Sequence, residues 1–317
     1  MTPTTPAPSV FALPTPRRPW LTALLALAVY VAFNLLLPLA PLPHHKIAVA
    51  AILGLVLFST MAFMLLQLWL AQAIVAVKPR PAVSGLAAFI FVLLFALFYW
   101  LSAPYDQNPE LTPLPLVFGQ SITITLGCTF LGILLSSIIR EPNVLLPVAL
   151  VAMPIDYLGA MTSIGFTHQI VNKHPGIVKH FSVPVPGIGS STHHGGLNPI
   201  AFIGLGDILF VAFFLAVVLR FNMNVRGTFW WMYGLLTLTM LIVLSPFGFN
   251  IAALVPMGLA VLIANFRYFK LKREEVFATF YAGLLIIALV TGFYLYYSHT
   301  HKPAPQTTLN ASKGGTP

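Results

Sequence analysis

Asp156 and Asp207 are the residues of this chain whose type and position could do chemistry. The sequence has seven acidic residues. Asp106, Glu110, Glu141, Glu274 and Glu275 fall between apolar runs or at their ends, whereas Asp156 and Asp207 fall inside them. A carboxylate at the centre of a bilayer costs about 2.5–3.5 kcal/mol on insertion scales, so acids kept there usually carry protons or do chemistry. The plain alternative is a protonated Asp that bridges two helices by a hydrogen bond. A pair widens the options. Two carboxylates a few ångströms apart cannot both ionise, so together they hold one proton and titrate as a unit. The ionised member can take a proton from water while the protonated member donates to a carbonyl oxygen. That is peptide hydrolysis by an aspartic dyad, and it needs no metal, cofactor or nucleophilic side chain.

The elements that must position these acids follow from composition. Of the 317 residues, 58% are hydrophobic and 7% are charged. A soluble domain carries about 25% charged residues, and disorder needs low hydrophobicity. A soluble enzyme and a disordered chain are both excluded. The single cysteine, Cys128, excludes an internal disulfide and a Cys-rich zinc site. The net charge of +9 sits in short loops between apolar runs, which argues against nucleic acid as a partner. Nine apolar runs are visible, near 20–40, 48–72, 84–104, 115–138, 144–165, 199–219, 228–246, 250–268 and 276–297. Each can supply the roughly 20 residues needed to cross the bilayer, and backbone groups in lipid must be paired internally. The expected fold is therefore all-α, a polytopic bundle of about nine transmembrane helices. Residues 1–19 and 298–317 read as disordered tails, 20–140 as helices 1–4 and 141–297 as helices 5–9.

Lys and Arg set the expected orientation. Arg17, Arg18, Lys78, Arg80, Arg140, Arg220, Arg226, Arg267, Lys270, Lys272 and Arg273 fall on the side of the N-terminus. Lys46, Lys173, Lys179, Lys302 and Lys313 fall on the other. This places the N-terminus in the cytoplasm and the C-terminus outside, in a plasma (inner) membrane. The loop 166–198 then lies outside. With these run boundaries Asp156 stands nine residues before the outer end of helix 5, and Asp207 eight residues after the start of helix 6. At about 1.5 Å per residue, both lie about 12–14 Å below the outer surface.

The neighbours of both acids fit close approach by another chain. Gly204-Leu205-Gly206-Asp207 removes two side chains beside an acid, as helix packing or a second backbone would require. Asn198-Pro199 reads as the helix start. Pro154 removes a helical hydrogen bond two residues before Asp156, and Tyr157 follows that acid directly.

An Asp beside a tyrosine, then Gly-x-Gly-Asp in the next span, resembles the presenilin and signal peptide peptidase family of intramembrane aspartyl proteases. The resemblance covers about residues 144–268. It implies Asp156 and Asp207 as the catalytic pair, and makes 141–297 the catalytic region. It implies substrate contact at Tyr157, Gly204, Leu205 and Gly206, where a substrate would bind as an extended strand. The family's Pro-Ala-Leu motif, two helices on, corresponds to Ala253-Leu254-Val255-Pro256, which the resemblance also sets beside substrate. The chain departs from the pattern in three ways: Tyr157 follows the acid instead of preceding it, the third motif is altered, and a further span comes after it. An outside loop between the Asp helices is similar to the signal peptide peptidase branch. The implied partners are transmembrane or signal-peptide segments of other proteins.

Other chemistries are less well supplied. His168, His174, His180, His193 and His194 in the loop 166–198 lack a metal-ligand spacing, and no His-Glu-x-x-His is present. Prepilin peptidases share the Gly-x-Gly-Asp motif and stand as a second protease reading. Gln120, Ser121, Thr123, Thr125 and Thr129 either line a water path or bond to neighbouring helices. Phe229, Trp230, Trp231 and Tyr233 read as an interfacial belt. The alternative of another class is a proton-coupled secondary transporter, in which the same two aspartates relay protons.

Overall fold

The computed structural model describes residues 18–40, 49–105, 112–161, 181–188, 197, 199–244 and 251–269, with scattered residues between 273 and 295. Among them the chain is mostly helical. Five helices are long and apolar enough to cross a membrane: Pro19–Leu36, Gly54–Ala76, Pro81–Tyr105, Leu114–Ser136 and Pro142–Gly159. The protein is thus a helical membrane protein. Residues 1–17 and 298–317 of the expected tails and the five loop histidines named above lie outside the described residues, while Pro19 already opens a helix.

The first half is built from α1 (Pro19–Leu36), α2 (Val49–Ala76), α3 (Pro81–Ser102) and α4 (Leu114–Ser136). Prolines open α1, α3 and α4, where a missing N–H leaves no helical bond unmade. The polar residues of α4 are turned to bonding within the bundle. Gln120 donates to Ser102 Oγ at 2.7 Å and to the Phe98 carbonyl at 3.3 Å, which ties α4 to α3. Thr125 and the buried Tyr30 hydroxyl pair at 3.3 Å, which ties it to α1. Gln120 and Thr125 thus bond to neighbouring helices as expected, whereas Ser121, Thr123 and Thr129 donate to carbonyls of α4 itself.

The second half differs from the expected string of long helices. After α5 (Leu145–Met161) come two strands, β1 (Ser182–Val185) and β2 (Ala201–Gly204), then α6 (Leu205–Arg220), α7 (Val225–Leu244) and α8 (Leu254–Asn265). The strands pair antiparallel, Ser182 opposite Gly204 and Val185 opposite Ala201. This adds a small sheet to the mostly helical bundle that was expected. It also corrects the helix start at Asn198-Pro199: the sixth run opens as strand, and its helix begins only at Leu205. Asp207 therefore stands in the first turn of α6, and the equal-depth argument drawn from the run boundaries no longer applies. β-branched Val183, Val185 and Ile203 favour the pleat, and β1 is buried between β2 and α4. The described residues between Arg273 and Leu295 are helical.

The core sits around α6. Every residue from Val211 to Val218 is buried, packed by α4 on one side and α2 on another. Gly132 makes the α4 contact possible. A Cβ there would press on the Leu209 carbonyl and stand 2.9 Å from the Phe213 nitrogen, so a side chain would force the two backbones apart. The far end of α6 closes with Asn222 in the left-handed region at φ 51°. Met223 N–H there donates to the Val218 carbonyl and Asn222 N–H to the Leu219 carbonyl, the Schellman pattern.

Candidate active site

Asp207 is held by the local fold of its own motif. Gly204 ends β2 and caps α6, so Leu205, Gly206 and Asp207 are the first three residues of the helix. The Asp207 carboxyl turns back and accepts a hydrogen bond from the Gly204 backbone, the reach of a third-position acid to a helix N-cap. The positive end of the helix dipole favours an acid there. Gly206 faces open space: a Cβ built on it would meet nothing within 4 Å. A Cβ on Gly204 would meet only the Asp207 side chain, its Oδ2 at 3.3 Å. The chain's own packing therefore does not demand glycine at 206, whereas a side chain at 204 would press on the Asp207 carboxyl.

Asp156 comes from α5, which continues as helix through Pro154. Its Oδ2 accepts the Leu254 backbone N–H at 3.0 Å. Leu254 is the first residue of α8, so its N–H has no partner within the helix and is free to bind an acid. Pro256, in the same first turn, lacks an N–H where none is used. α8 is set against α5 by Gly258, where a Cβ would stand 2.7 Å from Met153 Cγ and 3.5 Å from the Ala149 carbonyl. At its other end, buried Asn265 donates to Thr228 Oγ1 at 2.7 Å and accepts from Asn224 N–H at 2.9 Å, which fixes α8 to α7.

Both acids stand beside the N-terminus of α8, Asp156 through its bond to Leu254 and Asp207 across the cavity it shares with Ala253. Asp207 and Ala253 line one open cavity of about 270 Å³ bordered by α2, β2, α6, α7 and α8. The three separate sequence motifs thus converge: Asp156 on α5, Gly204 to Asp207 at the β2–α6 junction, and Ala253 to Pro256 at the start of α8. Leu205 packs against the core, Leu254 and Pro256 are buried, and Val255 is half-buried. Tyr157 is not drawn in. It is 50% exposed, and adjacent helical residues point about 100° apart, so it looks away from the face that carries Asp156.

Two features of the site are not singled out by the sequence reading. One is the strand β2, which leads into the motif and whose Phe202 and Ile203 line the cavity. The other is Gln67 of α2, buried in the same cavity wall with both carboxamide atoms unpaired among the described residues. The signal for Gln67 was an amide inside an apolar run, which it shares with Gln72. Among the described residues no group of acids, histidines or cysteines could hold a metal ion. Comparison of the chain with models of protein families, with curated proteins and with solved structures gives no match.

Proposed function

We propose that this protein is an intramembrane aspartyl protease that hydrolyses peptide bonds in transmembrane segments, with Asp156 and Asp207 as its catalytic pair. One observation carries the reading: Asp156 of α5 holds the first N–H of α8, and Asp207 of α6 shares a cavity with Ala253 just before that helix, beside an exposed Gly-x-Gly backbone. In the reaction, one carboxylate takes a proton from water as the water oxygen bonds to the scissile carbonyl carbon. The other carboxyl gives its proton to the carbonyl oxygen. The tetrahedral diol then collapses: the C–N bond breaks, the nitrogen takes up a proton, and a carboxylic acid and an amine leave. No metal or cofactor takes part.

Substrate enters this scheme as an extended segment. β2 pairs with β1 along one edge, and among the described residues nothing pairs with its other edge. A strand added there would unwind a substrate helix and satisfy its backbone at once. Gly204 and Gly206 leave room for that second backbone. The finer architecture belongs to the same proposal: about nine spans, a presenilin-like arrangement, a cytoplasmic N-terminus and an outer loop joining the Asp helices.

The test is reconstitution of the purified protein in liposomes with a single-span peptide. Wild type is expected to cut it, and Asp156→Ala and Asp207→Ala to abolish cutting. Cutting that survives both changes would overturn the reading. Peptide left intact while substrate drives proton flux would favour the carrier.

A further inference from the structure

Gln67 is a polar side chain of this cavity that the reaction above leaves unused. It is 7% exposed, and neither Nε2 nor Oε1 finds a hydrogen-bond partner among the described residues. Its neighbours handle their polar atoms differently. On the same helix, Ser59 and Thr60 both donate to the Val56 carbonyl at 2.9 Å. On the cavity wall, Thr239 donates to the Leu235 carbonyl at 2.8 Å. Buried polar groups are nearly always paired, and an exception calls for a partner that arrives later. Gln67 faces the same space as Asp207 and as Phe202 and Ile203 of β2.

The chemistry of the group narrows the partner. A carboxamide offers an acceptor and two donors side by side. A peptide unit offers a matching acceptor and donor, and in an apolar cavity it would otherwise go unpaired. We propose that Gln67 is a substrate-binding residue whose carboxamide bonds the backbone peptide group of an extended substrate segment lying in this cavity. The inference rests on the protease reading of the site. Because the contact is to backbone, it tolerates many substrate side chains. It also leaves Gln67 unsatisfied until substrate arrives, so the amide is spent on binding and contributes nothing to folding.

The test uses the full chain reconstituted with a single-span peptide. Gln67→Met keeps the length of the side chain and removes both hydrogen bonds. The substituted protein is expected to melt at the same temperature as wild type or higher, since an unpaired buried amide has been replaced by an apolar group. Its KM is expected to rise about tenfold with kcat changed less than about threefold, the loss of one to two hydrogen bonds. In an Asp207→Asn background, where no cutting occurs, the same change should weaken peptide binding by a similar factor. An unchanged KM and unchanged binding would overturn the inference alone. So would a fall confined to kcat, or a lower melting temperature, which would make Gln67 part of the protein's own framework. If wild type neither binds nor cuts the peptide, the protease reading fails, and this inference with it.

Discussion

At the scale of single residues, the proposed protease depends on the protonation of the pair. When both acids are protonated no base is left, and when both are ionised no acid is left. The rate is therefore expected to fall at both ends of the pH range, giving a bell whose two limbs belong to the pair and not to either residue. A rate rising to a plateau across that range would contradict the account. Gly206 gives a separate test. Its Cβ position is open, so Gly206→Ala should fold normally and gain up to about 1 kcal/mol of helix stability. Cleavage should nonetheless drop, because the methyl group occupies space reserved for the substrate backbone. Melting curves and cleavage rates that rise together would contradict that role. Asp156, Asp207 and the Gly-x-Gly-Asp run were legible in the sequence because charge inside an apolar run stands out from its surroundings. Gln67 was less visible, since a neutral amide disturbs the pattern little and its isolation shows only in three dimensions.

At the scale of elements, the site depends on helices seated at short distance. α4 touches α6 through Gly132, and the contact is with backbone, which cannot move aside as a side chain could. Gly132→Ala is expected to cost about 1–3 kcal/mol and to lower activity by displacing the helix that carries Asp207. Thermal unfolding in detergent, read beside cleavage, checks it. Gly258→Ala should be milder, because the nearest atoms there belong to the flexible Met153 side chain. β2 was hidden from sequence for a physical reason. In lipid-facing chains a four-residue strand and a turn of helix are equally apolar, so the period that separates them in soluble proteins is lost. Ala201 to Gly204 simply read as more of the following helix.

At the scale of the whole molecule, apolarity marks the membrane without saying which helix is inside. α3, and α6 between Asp207 and Arg220, are both apolar nearly all round. Yet α3 exposes Leu86, Phe89, Val92 and Leu93, while α6 is buried along most of its length. Such surface would be an aggregation hazard in water, and in a bilayer it is lipid contact. Helical class was therefore legible, and helix placement was not. Orientation remains a prediction of the Lys and Arg distribution. In a Cys128→Ala background, Ser191→Cys in the long loop should react with a membrane-impermeant thiol reagent added outside intact cells. Thr5→Cys should react only after lysis. The opposite pattern would invert the proposed topology.

The central claim is that Asp156 and Asp207 act as one acid–base unit, and the most direct measurement compares Asp156→Asn, Asp207→Asn and the double variant with wild type. All four are reconstituted, and the products of a single-span peptide are weighed by mass spectrometry. Asn keeps an acceptor for the Leu254 N–H that holds Asp156, so folding should survive while the shared proton is lost. Each single change is expected to lower the rate about 10³-fold or more, and the double change to lower it no further, as for residues that act together. Substantial cutting by either single variant, or losses that multiply in the double, would contradict the account.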